Sequence, residues 1–374
     1  MYSRMTRHCL IGFVLLLSNP PATAYSQDAD DYELRIIANS TTFSQAIAIN
    51  SKLEILGNRE VTEGDVGTLK SYFRSGEEDF EITSPKDFTN VEPQALSDTG
   101  VVVGYVSRPV GNPDGSLRGF YWDSKAKIIT LLEPLPTDTA GHAQDISADG
   151  KRITGYSTGS EPPRIRPCVW QWNEESLKYV PEELPTLVAN NPFLQASQVI
   201  ISPNGNRIAA SITEKQISAF IFDSSLFAWE RSKDGKWERQ KLSDEQPKLK
   251  DMNDDGIIVG STSGELKPRA CKIDREGKFE IMELLEGDES NVAYGINNAG
   301  TIVGMSDDPH GPEGAPRAFI MENGKVKPLR LLRGSESESS AMAINQDGAI
   351  AGFMYKEAGE NAAVVTFVRI KKSR

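Results

Sequence analysis

Histidine and cysteine are both scarce, three of each in 374 residues. Cys9 lies just before an N-terminal apolar run in a segment expected to be removed, so Cys168 and Cys271 alone remain for the body of the chain, too few for a disulfide framework. His142 and His310 have no matching cysteine or carboxylate spacing, so no metal site and no cofactor is expected. No serine is read as the nucleophile of a G-x-S-x-G elbow. Positive charge is also short: 41 Lys and Arg stand against 53 Asp and Glu, a formal charge of −12. Such a chain stays soluble and does not hold nucleic acid or anionic lipid non-specifically. Long helical periodicities are few. Instead, 31 glycines and 21 prolines punctuate short β-branched and aromatic runs, the composition of an all-β protein.

One apolar run stands out, residues 10–17, and it is too short for a typical membrane span. Arg4 and Arg7 precede it and Ala22-Thr23-Ala24 follows, the three parts of an export signal. Cleavage after Ala24 is expected, leaving residues 25–374 as a single domain in the periplasm or outside the cell. Removal takes away two arginines and no acid, which moves the formal charge from −12 to −14.

The rest of the chain repeats one unit. An apolar anchor is followed by a polar turn ending in glycine, then a second apolar run ending in glycine, a polar loop, a third strand, a tight turn and an outer strand. The anchors are Ile49, Leu96, Ile146, Ile201, Met252, Ile296 and Ile344, spaced 44 to 55 residues apart. That period fits a four-stranded propeller blade, and the period-2 strands argue against helical solenoids. The turn glycines are Gly100, Gly150, Gly205, Gly256, Gly300 and Gly348, with Leu53 in the first copy. The closing glycines are Gly57, Gly104, Gly155, Gly260, Gly304 and Gly352, with Ala210 in the fourth copy; they are expected to permit close packing of neighbouring sheets. In that copy residues 226–230 are read as the third strand and 217–222 as an enlarged connection. The seventh copy runs out after three strands, while residues 32–38 (YELRIIA) form a strand with no partner before them. The expected fold is therefore a seven-bladed β-propeller, closed by this N-terminal segment as the outer strand of the last blade.

The copies at residues 293–332 and 341–367 resemble the HAF-type extracellular repeat of bacterial exported proteins. The match rests on Gly295-Ile296-Asn297, Gly300, Ile302-Val303-Gly304, Ser306, Arg317-Ala318-Phe319 and Asn323-Gly324. Residues 146–153 and 201–208 are similar to the S-P-D-G-K-R-I turn of the periplasmic Tol-Pal propeller. Both resemblances imply exported propellers, and neither assigns a reaction to these residues.

Asp251-Met252-Asn253-Asp254-Asp255-Gly256 carries the front half of a calcium loop, and residues 145–150 read D-x-S-x-D-G. Their twelfth positions, Thr262 and Tyr156, lack the required glutamate, so both are read as polar turns. Residues 232–237 resemble the structural Asp-box of sialidase propellers with altered spacing. One repeated feature goes beyond scaffold. Arg118, Arg166, Arg269 and Arg317 each stand at the start of a third strand, where guanidinium groups suit carboxylates and sulfates at the ring entrance. The other reading is a brace to an acid of the neighbouring blade. The sequence thus suggests an exported, monomeric, non-catalytic binding module, taking a protein or glycan partner on one face without nucleic acid and without spanning a membrane. The alternative is a polysaccharide lyase or glycosidase acting at the ring mouth.

Overall fold

The computed structural model describes residues 32–371 apart from 41–42, 64–65, 110–116, 161–162, 187–193, 219–220, 308–315, 330–335 and 357–362. The segment read as an export signal, and His310, lie outside the described residues. Among the described residues all regular structure is strand, and no helix is long and apolar enough to cross a membrane.

Short alternating runs separated by tight turns fold into antiparallel meanders. Strands Ser44–Ile49, Ile55–Glu63, Val66–Ser75 and Glu78–Glu81 make the first sheet, and Asn90–Leu96, Val101–Ser107, Arg118–Asp123 and Ile129–Leu131 the second. Lys248–Met252, Ile258–Ser261, Ala270–Ile273 and Phe279–Ile281 form another, followed by Ser290–Ile296, Ile302–Asp307, Pro316–Glu322 and Lys325–Pro328. Glu336–Ile344, Ile350–Lys356 and Ala363–Lys371 make only three strands, and Tyr32–Ser40 completes that sheet by pairing antiparallel with Ala363–Lys371. The N-terminal strand thus lies where the sequence expects it.

The middle of the chain differs from expectation in two ways. Two four-stranded meanders, starting with Ala140–Ile146 and Gln195–Ile201, are joined into one eight-stranded sheet. The joint is a single parallel pairing of Ile165 with Gln195. It forms because strand Pro163–Asn173 is 11 residues long and overruns its own meander. The architecture is a β-propeller, but among the described residues its sheets number five of four strands and one of eight. Secondly, the described part of residues 217–222, read as an enlarged connection, is strand. Arg207–Ser218 and Ile221–Arg231 pair antiparallel from Arg207↔Glu230 to Ser218↔Ile221, so the ladder simply runs on, and residues 219–220 lie outside the described residues.

The first strand of each meander carries an irregularity at one recurring place. The register slips at Ala46/Ala48, Pro93/Ala95, Ala143/Asp145, Leu249/Asp251, Ala293/Gly295 and Ala341/Ala343. At Ser197/Ile200 two residues are skipped. Each slip is a β-bulge, which re-aims the side chain it leaves unpaired. It also explains the closing glycines. A Cβ on Gly304 would run into the Val292 carbonyl oxygen and lie 2.6 Å from Phe319 Cε1. Gly155 and Gly260 similarly face His142 O and Lys248 O. The close approach is to the first strand of the same sheet, rather than to a neighbouring sheet as the sequence suggests. In the fourth meander Ala210 lies opposite the wider, two-residue bulge, and there alanine replaces glycine. The turn position requires positive φ: Gly100 and Gly300 have φ of 86° and 75°, and Leu53, in their place in the first copy, is held at 62°.

Sheets stack face to face through their apolar sides. Leu56 and Phe73 of the first meet Val102, Phe120 and Trp122 of the second, with the Phe73 and Trp122 rings 5.1 Å apart. At the hub, the turns after the first strands form a closed chain of hydrogen bonds. Asn50 Nδ2 donates to Ser97 O, Asp98 N to Ala148 O, and Ala148 N to Pro203 O at 3.0, 2.9 and 2.8 Å. Asn204 N donates to Asp254 Oδ1 at 2.7 Å, and Asn253 Nδ2 to Asn297 O at 3.2 Å. Asn297 Nδ2 reaches Asn345 O at 3.4 Å, and Asn345 Nδ2 returns to Asn50 O at 2.9 Å.

Candidate functional site

The first strands and their turns surround a cavity of about 180 Å³ on the ring axis, open to solvent. The bulges build its wall, since Ile47, Gln94, Lys250, Tyr294 and Met342, all left unpaired by the register slips, line it. The residue after the bulge is small in four meanders: Ala48, Ala95, Gly295 and Ala343. In two others it is Asp145 and Asp251, and both carboxylates line the same cavity.

Each aspartate spans two meanders. Asp145 accepts the N–H of Ile146 on Oδ1 and of Ile201, in the next meander, on Oδ2, both at 2.8 Å. Asp251 does the same with Met252 and Ile296 at 2.7 and 2.9 Å. Surrounded by protein except for the face toward the cavity, both are pushed up to about 7 by desolvation, against the pull of these N–H groups. The charge of Asp145 raises Asp251 further. Among the described residues neither has a cationic partner within salt-bridge distance. Lys250 keeps its ammonium 5.6 Å from the Tyr294 ring centre, and burial together with Lys248 lowers its pKa.

The arginines singled out in the sequence lie elsewhere, at the starts of third strands, each against the segment that follows an outer strand. Arg166 is buried and bonds the carboxylates of Asp138 and Glu183 at 2.8 and 2.6 Å and Pro136 O at 2.9 Å. Arg317 pairs with Asp288, whose side chain has no exposed surface, and reaches Glu286 O at 3.3 Å. Asp138 and Asp288 occupy equivalent places, three residues after Leu135 and Leu285. Arg118 donates to Leu132 O at 3.3 Å and stands 3.8 Å from exposed Glu133. Arg269 donates to Met282 O at 2.9 Å. None of the four lines the axial cavity.

Three other sequence features have structural addresses. Residues 155–159, GYSTG, do carry the G-x-S-x-G spacing. Ser157 lies within strand Arg152–Ser160, wholly buried, its hydroxyl accepting Leu135 N–H and donating to Ala140 O. That is no elbow. His142 sits edge-on to Tyr105 and Tyr156, ring centres 4.1 and 4.8 Å away, and burial lowers its pKa to about 4. Its ring nitrogens make no hydrogen bond. The run 145–150 is a turn in which Asp149 accepts the Ser147 hydroxyl and Lys151 N–H, and among the described residues no three His, Cys, Asp or Glu side chains group as metal ligands. Cys168 and Cys271 are free and buried.

These features define a propeller with a polar axial cavity. No protein-family model matches the sequence, and no curated protein does. Solved structures of similar fold include peptidases. Prolyl oligopeptidase B from Galerina marginata, solved bound to a 25mer macrocyclization substrate, superposes with a TM-score of 0.54 at 11% identity, over 84% of this chain and 49% of its own. A prolyl endopeptidase gives 0.52 at 12%, over 86% and 49%. A puromycin-hydrolyzing peptidase of Mycobacterium tuberculosis gives 0.52 at 12%, over 86% and 50%. The chain spans about half the length of these structures. The sequence reading of a non-catalytic binding module is corrected to this extent: the neighbours above are peptidases and lend that role no support, and at 11–12% identity the likeness shows the fold alone.

Proposed function

We propose that this chain is a propeller that handles peptides during their hydrolysis, holding one end of the peptide in the axial cavity. The carrying observation is that the bulges of the first strands bring Asp145, Lys250 with Asp251, and Tyr294 from three meanders to one cavity of about 180 Å³. Concave sites where a few polar groups of shifted pKa converge are the usual form of a ligand site. The peptidase neighbours bring peptides forward as the ligand class. Half of each neighbour lies outside the match, and the one described histidine has no hydrogen-bonded partner. Bond cleavage is therefore assigned to groups beyond the cavity, with the cavity setting which peptide end is held. The ring is read as seven blades, the eight-stranded sheet counting as two. Its single bridging pair supports this, as does the hub chain of hydrogen bonds that passes once through each meander. Export is retained as part of this reading on the strength of the N-terminal segment alone.

The test is a calorimetric titration of tripeptides into wild type and Met342→Trp, with a parallel assay for released product. Met342 lines the cavity, so the larger ring should fill it and abolish binding. Equal heats for both proteins, or no binding of any peptide, would remove the proposal.

A further inference from the structure

Bracing does not need a charge. Gln198 Oε1 accepts Leu249 N–H at 2.9 Å and Gln144 Oε1 accepts Val199 N–H at 2.8 Å, so neutral amides make the same link between successive meanders. In four other meanders Ala48, Ala95, Gly295 and Ala343 occupy the aspartate position and provide no side-chain acceptor at all. Asp145 and Asp251 therefore carry a desolvation penalty that the fold does not require. Each oxygen accepts one backbone N–H, and a carboxylate oxygen has two lone pairs. One acceptor site per oxygen is left beside the cavity. The other ionisable groups on the wall are Asp98, which accepts Ser51 N–H at 2.8 Å, Lys250, held toward Tyr294, and Tyr294 itself. With the acids ionised the wall carries three negative charges and one positive.

We infer that the cavity takes the ammonium end of its ligand, a peptide α-amine, with Asp145 and Asp251 as the acceptors. The inference rests on the peptide reading above and narrows it. A compact primary ammonium has three donors to divide between the two carboxylates, whereas an N-acetylated end has no charge and one donor. Charge complementarity of this kind discriminates strongly, since a wrong ligand leaves the acids desolvated and unpaired.

The experiment titrates wild-type protein with Ala-Ala-Ala, N-acetyl-Ala-Ala-Ala and n-butylammonium chloride at pH 8 and pH 5.5, and repeats the pH 8 arm with Asp251→Asn. The free tripeptide should bind at least about tenfold more tightly than its acetylated form at pH 8. For one required carboxylate titrating near 7, and an α-amine itself only about half protonated at pH 8, affinity should fall roughly tenfold between pH 8 and pH 5.5. Asp251→Asn should erase most of the difference between free and acetylated ends. Equal binding of the two tripeptides overturns the ammonium assignment and leaves the peptide reading standing. Binding of butylammonium without either tripeptide supports the cation site and removes the peptide reading. No binding of any probe removes both. The acetylation and pH arms use unmodified protein, so a variant that folds poorly does not spare the inference.

Discussion

Replacing Leu34 by alanine tests the ring closure. Leu34 lies in the N-terminal strand, opposite Arg369, and is 4% exposed. Its side chain belongs to a core cluster containing Val303, Ala318 and Ile320 of the preceding sheet and Ala341, Ile350 and Met354 of its own. Truncation removes about three methyl-sized groups from a site walled by two sheets. Leucine-to-alanine changes in such cores cost about 2–5 kcal/mol, and a strand at a sheet edge that can relax puts this one near 2–3. The adjacent Arg35 is the control. It is exposed and pairs with Glu33, two residues away, at 2.8 Å, so Arg35→Ala should change stability by no more than about 0.5 kcal/mol. Urea unfolding followed by tryptophan fluorescence, with m unchanged, reads both. Trp122, Trp170 and Trp229 are buried and lie in sheets other than the one containing Leu34. A loss seen by these distant probes in a single transition would mean that the seam governs the whole ring. If Leu34→Ala unfolds within about 0.5 kcal/mol of wild type, the strand is not holding the ring and the reasoning fails.

Three further outcomes follow from the geometry. Gly304→Ala should destabilise by about 2 kcal/mol or more, because its Cβ overlaps the Val292 carbonyl. Ala210→Gly, opposite the wider bulge, should cost about 1 kcal/mol or less, and equal effects in urea melts would refute the bulge explanation. Arg166→Ala should cost about 3–5 kcal/mol by stranding Asp138, whose side chain has no exposed surface; a loss under 1 kcal/mol would restore Arg166 as a recognition group. The third concerns pH. Folding raises Asp145 and Asp251 from the ordinary carboxylate range to about 7. Their contribution is fully present below the unfolded pKa and is lost as pH rises toward 7. His142, lowered to about 4, acts oppositely, losing its contribution as pH falls from about 6.5 to 4. Stability should therefore rise by about 1 kcal/mol in total from pH 8 to 6, after discounting for the solvent-filled cavity. An unchanged slope in an Asp145→Asn, Asp251→Asn double variant would contradict this.

Much of the fold was legible because it is written in repeats. The anchors, the turn glycines and the unpaired strand at residues 32–38 each recur or fail to recur at a fixed place, and β-structure with period 2 turns such places into strand ends and sheet edges. The bulges were not legible. Ile47, Gln94, Lys250, Tyr294 and Met342 share an address but no chemistry, so no residue type marks it. The cavity acids were visible only as the first letters of calcium-like runs. Their real signal was a carboxylate at a position that is alanine or glycine in four other copies. Joining of the two central meanders depended on how far strand Pro163–Asn173 runs, which polar residues past the core do not reveal.

The direct test of the account is where a peptide touches the protein. A tripeptide with a free amine and a photoreactive third residue, crosslinked at pH 8 and mapped by mass spectrometry, should label cavity-lining residues such as Met342, Ile344 or Tyr294. Labelling confined to outer strands such as Lys178–Glu183 would contradict it.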